Sequence, residues 1–428
     1  MVVRRLVLKN FRNIESEEFL PSQGINFLVG ANGQGKTSWL EALSLLSNFR
    51  SFRGSENTDF LRWNTQTAEI NCTVATGLSL SSWKSDLKIT LAKDQNERVS
   101  RAAWINEKLF KSGTQYLSQR FGEVELGFHS IAFNPADHDL VRGDPATRRS
   151  YLNQVLVAES PEYLALLKRY QRVLEQRNAV LKPDRGPVDK AYLRGFTEQL
   201  VPLGAAITWY RLNWFNRVIG PMSEVARKIA PQQPLLTPHY LSSWLGSTDR
   251  FHRQFALQDR LGSLEILERL FYERMSSLAD QELRLRSSLV GPHRDDWAMF
   301  IGEQTLKGHG SQGEVRTSLL ALKLSEIDLF RKWTGQKPIL LLDDFSSELD
   351  RERRMFLLEY LRESDLQVFV TTTEDAGYTG ETYRVSSGRL TSVSRGDSGI
   401  RINTSDRDAI PNESEQTHYA IQLGQANV

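Results

Sequence analysis

Apolar positions along the chain change period three times, and those changes outline its architecture. Residues 3–9 (VRRLVLK) alternate in strand fashion, and 25-INFLVG-30 is a short apolar run ending in glycine. Directly after it, 37-TSWLEALSLL-46 places apolar residues at helical spacing, so strand, glycine loop and helix follow one another. Residues 60–131 return to short β-like runs, among them 69-EINCTVATGL-78 and 86-DLKITLA-92. From about Pro145 to 285 the texture is helical. The segment 161-PEYLALLKRYQRVLEQRNAVLK-182 opens on proline, and 262-GSLEILERLFYERMSSL-278 repeats the i, i+3, i+4 pattern. From 286 strands are expected again: 339-ILLLDDF-345 and 367-QVFVTTT-373 flank the helical run 350-DRERRMFLLEYLRE-363. After about 395 the chain is rich in Asn, Ser, Asp and Gln with little periodicity, and no packed structure is expected there.

These periods predict an α/β architecture in four parts. Residues 1–145 form the first half of one lobe and 146–285 an inserted, mainly helical domain. Residues 286–394 complete the lobe, and 395–428 are a polar tail. No sustained heptad array is present, which argues against a long coiled-coil arm.

Composition changes this picture little. Lys and Arg total 54 against 52 Asp and Glu, a net charge of +2, which neither demands nor excludes a nucleic-acid partner. The single cysteine, Cys72, permits no internal disulfide and no cysteine metal cluster, as suits a reducing compartment. No run approaches the ~18 apolar residues that span a bilayer, so a cytoplasmic protein without membrane contact is expected.

Candidate chemistry changes it a great deal. The stretch 29-VGANGQGKTSWLEAL-43 fits G-x-x-x-x-G-K-[ST] between a strand and a helix. Gly30, Ala31, Asn32, Gly33, Gln34 and Gly35 would wrap a phosphate chain with backbone N–H groups, Lys36 would neutralise it, and Thr37 would hold Mg²⁺. A phosphate loop needs an acid on a neighbouring strand. Asp343 ends an apolar strand and is the candidate metal acid; Asp344 is then placed to orient or deprotonate water. Because 307 positions separate Lys36 from Asp343, a domain must be inserted between the two halves of the site. Ser311, Gln312 and Gly313 form an S-x-G turn ahead of a helix, which is either an ordinary capping box with Glu314 or a second anion-binding device. A second device calls for the nucleotide of a second copy, and 347-SELD-350 has the place of a loop linking two such sites.

These motifs together resemble the RecF family, relatives of the SMC and Rad50 head ATPases of the ABC type. The resemblance rests on 7-VLKNFRNIE-15, 24-GINFLVGANGQGKTSWLEAL-43, 49-FRSFRG-54, 133-FNPADHDLVRGDPATRRSYLN-153, 289-LVGPHRDDW-297, 310-GSQGEVRTSLLALKLSE-326 and 342-LDDFSSELD-350, in family order up to about residue 390. It implies ATP and Mg²⁺ bound by Gly30–Thr37 and Asp343, with Arg12 lining the pocket and Ser311–Gly313 closing on a partner's ATP. It further implies an ATP-dependent homodimer on single-stranded, gapped or duplex DNA, partnership with RecO and RecR, indirect help to RecA, a part in the SOS response, and slow, DNA-stimulated ATP hydrolysis that acts as a timer. Three positions depart from the family pattern: Ala136 where an acid is frequent, Glu314 where Gln is frequent, and 371-TTT-373 without the histidine of transporter ATPases. A transporter-type ATPase and a non-hydrolysing SMC-like protein stand as alternatives. Arg142, Arg148 and Arg149 form one basic cluster and 50-RSFR-53 another; each is either a DNA contact or, as such clusters more often are, solvated or paired surface.

Overall fold

The computed structural model describes residues 1–75, 84–119, 128–182, 188–246, 260–345, 349–373, 379–396 and 399–403. Strands β1 (Val2–Phe11) and β2 (Ile14–Phe19) form a hairpin, followed by β3 (Ile25–Val29) and helix α1 (Lys36–Asn48). Next come β4 (Thr67–Ala75), β5 (Lys84–Lys93), β6 (Val99–Ile105), β7 (Lys108–Phe110) and β8 (Ser130–Phe133). The helical part holds α2 (Pro145–Glu159), α3 (Pro161–Val180) and the 40-residue α4 (Lys190–Ile229). Strand β9 (Leu236–Leu241) and α5 (Arg260–Ser277) follow. The last part contains β10 (Asp296–Ile301), β11 (Gln304–Thr305), α6 (Gln312–Thr334), β12 (Ile339–Leu342) and α7 (Arg351–Ser364). It closes with β13 (Val368–Thr372), β14 (Glu381–Ser386), β15 (Arg389–Gly396) and β16 (Gly399–Asn403).

A seven-stranded sheet in the order β16-β15-β14-β3-β13-β12-β8 organises the molecule. Its five strands from β14 to β8 run parallel, so their C-terminal ends share one edge, the edge at which open α/β sheets bind ligands. The central strands β13 and β12 are buried along their whole length because both faces are covered, whereas β14 exposes Glu381, Arg384 and Ser386. Alternation splits the apolar residues cleanly: Phe27, Ile131, Leu340, Leu342, Val368 and Val370 face the helical side, whereas Leu28, Ile339, Leu341 and Phe369 face α1. On that second side α1 is sandwiched against the antiparallel sheet β2-β1-β4-β5-β6-β7, which is why apolar residues and even Ser44, Ser47 and Glu41 on it are buried.

The residues expected to form a helical insert are helical at both ends, Pro145 and Leu285, but they also supply β9, which pairs antiparallel with β10. The block shares one continuous core with the parallel sheet, because α6 packs on α4 on one side and its buried leucines reach the sheet on the other. The boundary expected at 395 is corrected. Strand β16 pairs antiparallel with β15, with Gly396 opposite Gly399, so regular structure reaches Asn403. The signal was a five-residue apolar–polar alternation, 399-GIRIN-403, easily lost in a polar stretch; residues 404–428 lie outside the described part. Among the described residues, no helix is long and apolar enough to cross a membrane.

Candidate nucleotide site

The site lies at the C-terminal ends of β3, β13 and β12. Gly30, just past β3, donates its N–H to Thr372 O at 3.3 Å. A Cβ on Gly30 would stand 2.3 Å from Val385 O, so the loop can leave the sheet this closely only with glycine there. Gly33 (φ 79°) and Gly35 (φ 99°) adopt left-handed backbone, and a Cβ on Gly35 would run into Asn13 at 2.6 Å. The loop is held from outside as well. Gln34 Oε1 accepts from Ser387 N at 2.6 Å, and Gln34 O accepts from Gly388 N at 2.8 Å. Helix α1 has no side-chain N-cap, leaving first-turn N–H groups for an anion.

Lys36 Nζ donates to Gly30 O at 2.7 Å and Ala31 O at 2.9 Å. Burial lowers its pKa, and the charges of Asp344 and Asp343 oppose that shift. Asp343 closes β12. Its Oδ1 accepts from Thr37 Oγ1 at 2.8 Å and from Thr371 Oγ1 at 2.7 Å. Burial raises the Asp343 pKa, and the two hydroxyl bonds pull it back. Asp344 sits in left-handed backbone (φ 55°), a conformation Asp tolerates better than most residues. Its N–H donates to Thr371 Oγ1 at 2.8 Å. Thr371 thus holds both acids from β13, the strand between β3 and β12, a role that reading the sequence overlooked; its only signal was its place at a strand end.

A hydroxyl and a carboxylate oxygen side by side are the hard donors Mg²⁺ takes alongside phosphate oxygens and water, so Thr37 and Asp343 suit that ion. Among the described residues no group of three or more His, Cys, Asp or Glu is placed to hold a metal.

The β1–β2 turn, Arg12 and Asn13, forms one wall of a cleft of about 1080 Å³. Arg12 lines it but is no free cation. Its guanidinium donates twice to Glu41, both at 2.8 Å, and to Ser55 Oγ at 2.5 Å, and lies 5.2 Å over Phe60. Burial pushes the Glu41 carboxyl up, but the Arg12, Ser51 and Ser55 bonds outweigh it and hold the group ionised. Glu41 lies mid-helix in α1 and nothing in the sequence flagged it. Leu61, Trp63 and Asn64 also line the cleft, together with the charged Asp59 and Arg62.

Ser311, Gln312 and Gly313 do not line this cleft. Ser311 caps α6 with a full capping box: its Oγ accepts from Glu314 N at 3.2 Å, and its N–H donates to Glu314 Oε2 at 2.8 Å. Ser311 and Gln312 are exposed. Of 347-SELD-350, Ser347 and Glu348 lie outside the described residues, while Leu349 is buried and Asp350 caps α7. Near Ala136, the acid that ties the turn is its neighbour. Asp137 accepts from Asn134 N at 2.8 Å and pairs with Lys323 of α6 at 3.3 Å, while Pro135 lines the cleft.

In the basic cluster at 142–149, two of the three arginines are paired rather than free. Arg148 is buried and donates to Asp296 at 2.7 and 2.8 Å and to Gly143 O at 2.8 Å. Arg149 is half-buried and donates to Asp295 O. A sequence shows how many arginines stand together, not where a distant carboxylate meets them. Arg50, Arg53 and Arg142 are exposed, and Arg53 lines the cleft.

The family model described as RecF/RecN/SMC N terminal domain matches residues 2–388. The chain belongs to this family. Within it, the chain is 32% identical over 397 residues to the DNA replication and repair protein RecF of Trichlorobacter lovleyi, covering 91% of this chain and 98% of the relative. It is 33% identical to the Geobacillus kaustophilus protein of the same name, covering 92% and 100%. A solved structure of the recombination mediator protein RecF with ATP, in the RecFOR pathway, superposes with a TM-score of 0.78 at 26% identity, over 92% of this chain and 97% of that one. The Smc head domain from Pyrococcus furiosus, at 14% identity and TM-score 0.50, shares the fold alone. The expected ABC-type head fold and the RecF resemblance are both borne out.

Proposed function

We propose that the chain is a RecF-type, ATP-dependent DNA-binding protein of recombinational repair and replication. The observation that carries this reading is the meeting of Lys36, Thr37, Asp343 and Asp344 at one sheet edge in a RecF-class fold. Bound Mg²⁺ would neutralise charge on the ATP β- and γ-phosphates. Lys36 would leave the loop carbonyls for the phosphates, Thr37 and Asp343 would hold the ion, and Asp344 would align water and accept its proton. Turnover would be slow, so that hydrolysis times release from DNA.

Ser311–Gly313, outside the cleft with Ser311 and Gln312 exposed, would meet the nucleotide of a second copy and make an ATP-dependent homodimer. The dimer would act on gapped or single-strand-containing DNA with RecR and RecO and, through them, RecA. It would work in the cytoplasm. Sedimentation velocity with Mg-ATP, with and without gapped duplex, tests this. A dimer that forms on ATP, is lost in Ser311→Arg with ATP binding kept, and persists in Asp344→Asn is expected. A monomer under every condition would overturn it.

A further inference from the structure

One side chain joins the 311–313 turn to the segment that follows the two site acids. Arg353 lies in the first turn of α7, and its guanidinium is committed on every side. Nη1 pairs with the Asp350 carboxylate, Nη2 donates to Gly313 O at 3.1 Å, and Nε donates to Thr317 Oγ1 at 2.9 Å. The side chain is only 14% exposed. A Cβ on Gly313 would lie 3.3 Å from Nη2, so the guanidinium packs on the turn at a distance that favours glycine. Asp350 in turn accepts from Arg353 N at 3.0 Å and starts α7, six residues after Asp344. Buried Leu349 anchors that corner.

We propose that Arg353 is a positioning residue that makes the 311–313 turn and the Asp350 corner move as one body, so that an anion met by the turn is reported to Asp344 beside the chain's own nucleotide. The physical reason is the rigid planar fork. Its donors have a fixed geometry, so a shift of Gly313 O and Thr317 Oγ1 must drag Asp350 or break bonds. In a dimer with two ATPs, each turn would meet one nucleotide while its own chain holds the other, and the two sites would hydrolyse cooperatively. This rests on the dimeric reading above.

The test uses the full chain with Arg353→Ala and Arg353→Lys. Lysine keeps the charge but loses the fork. Mg-ATP affinity of the dilute monomer, dimerisation by sedimentation, the ATP dependence of hydrolysis on DNA, and thermal melting are compared. The wild type is expected to show a Hill coefficient approaching 2, the number of sites. Both variants should bind ATP within about twofold of wild type while dimerising about tenfold more weakly, a change of ~1.4 kcal/mol, with a Hill coefficient near 1. Variants that dimerise and cooperate like wild type would overturn the inference and leave the dimer intact. Loss of monomer ATP affinity in step with melting temperature, in the lysine variant too, would make Arg353 a rivet and overturn it equally. A wild type that neither dimerises nor cooperates would remove the dimeric reading and this inference together.

Discussion

Replacing Arg148 with alanine separates two roles that a basic cluster can play. The guanidinium makes two bonds to Asp296 and one to Gly143 O, and its side chain is 3% exposed. Removing one partner of a buried pair costs about 3–5 kcal/mol, most of it from the charge left behind. Here Asp296 retains 24% exposure, so water reaches it and the low end, ~3 kcal/mol, applies. Gly143 O adds little, because Lys307 Nζ also donates to it at 3.2 Å. The bond from Trp297 Nε1 to Arg148 O survives, since it uses the backbone. At about 2 °C per kcal/mol for a large domain, melting should fall by roughly 6 °C. Urea midpoints followed by tryptophan fluorescence give the stability, and binding to gapped DNA across a salt series gives the electrostatics. Each lost phosphate contact lowers the slope of log K against log salt by about 0.9. Arg148→Ala should therefore lose stability and keep the slope of wild type. Stability within ~0.5 kcal/mol of wild type together with a slope reduced by about one would refute the structural assignment and return Arg148 to the DNA interface.

Lys323→Met should cost ~3 kcal/mol at neutral pH, because it strips the buried Asp137 and Glu326 of their shared cation. Burial already raises both carboxyl pKa values, and a raised carboxyl favours the folded state while protonated. The variant should therefore recover stability as pH falls from 7 toward the carboxylate range near 4, which denaturation at several pH values would register. Mg-ATP affinity should weaken as pH falls through the raised pKa of Asp343, since only the carboxylate holds the ion; calorimetric titration would follow this, and Asp343→Asn should bind weakly with a flat profile. Gly30→Ala should lower ATP affinity by about tenfold or more, because its Cβ must displace Val385 O from 2.3 Å, and a near-normal affinity would show the loop has room to give.

The sequence by itself determined everything that depends on neighbours in the chain. Strand, glycine loop and helix at 25–48 follow from period and from the conformations that glycine permits, and with them the place of Gly30–Thr37 at the sheet edge. The apolar run before Asp343 places that acid at a strand end, because the four residues ahead of it are buried. The length between Lys36 and Asp343 demands an insert whatever its fold. Only the tertiary structure decided what depends on residues far apart. The sequence leaves Arg148 open between a DNA contact and a paired role until Asp296, 148 positions later, neutralises it. Arg12 reads as a pocket cation until Glu41 on α1 takes its fork. Thr371 gains its place only when β13 is threaded between β3 and β12. The helical block has no core to call its own because α6, from the far side of the insert, fills it. Local pattern fixes backbone conformation through sterics and solvent, whereas a charge is free or spent according to which carboxylate packing brings within hydrogen-bond reach.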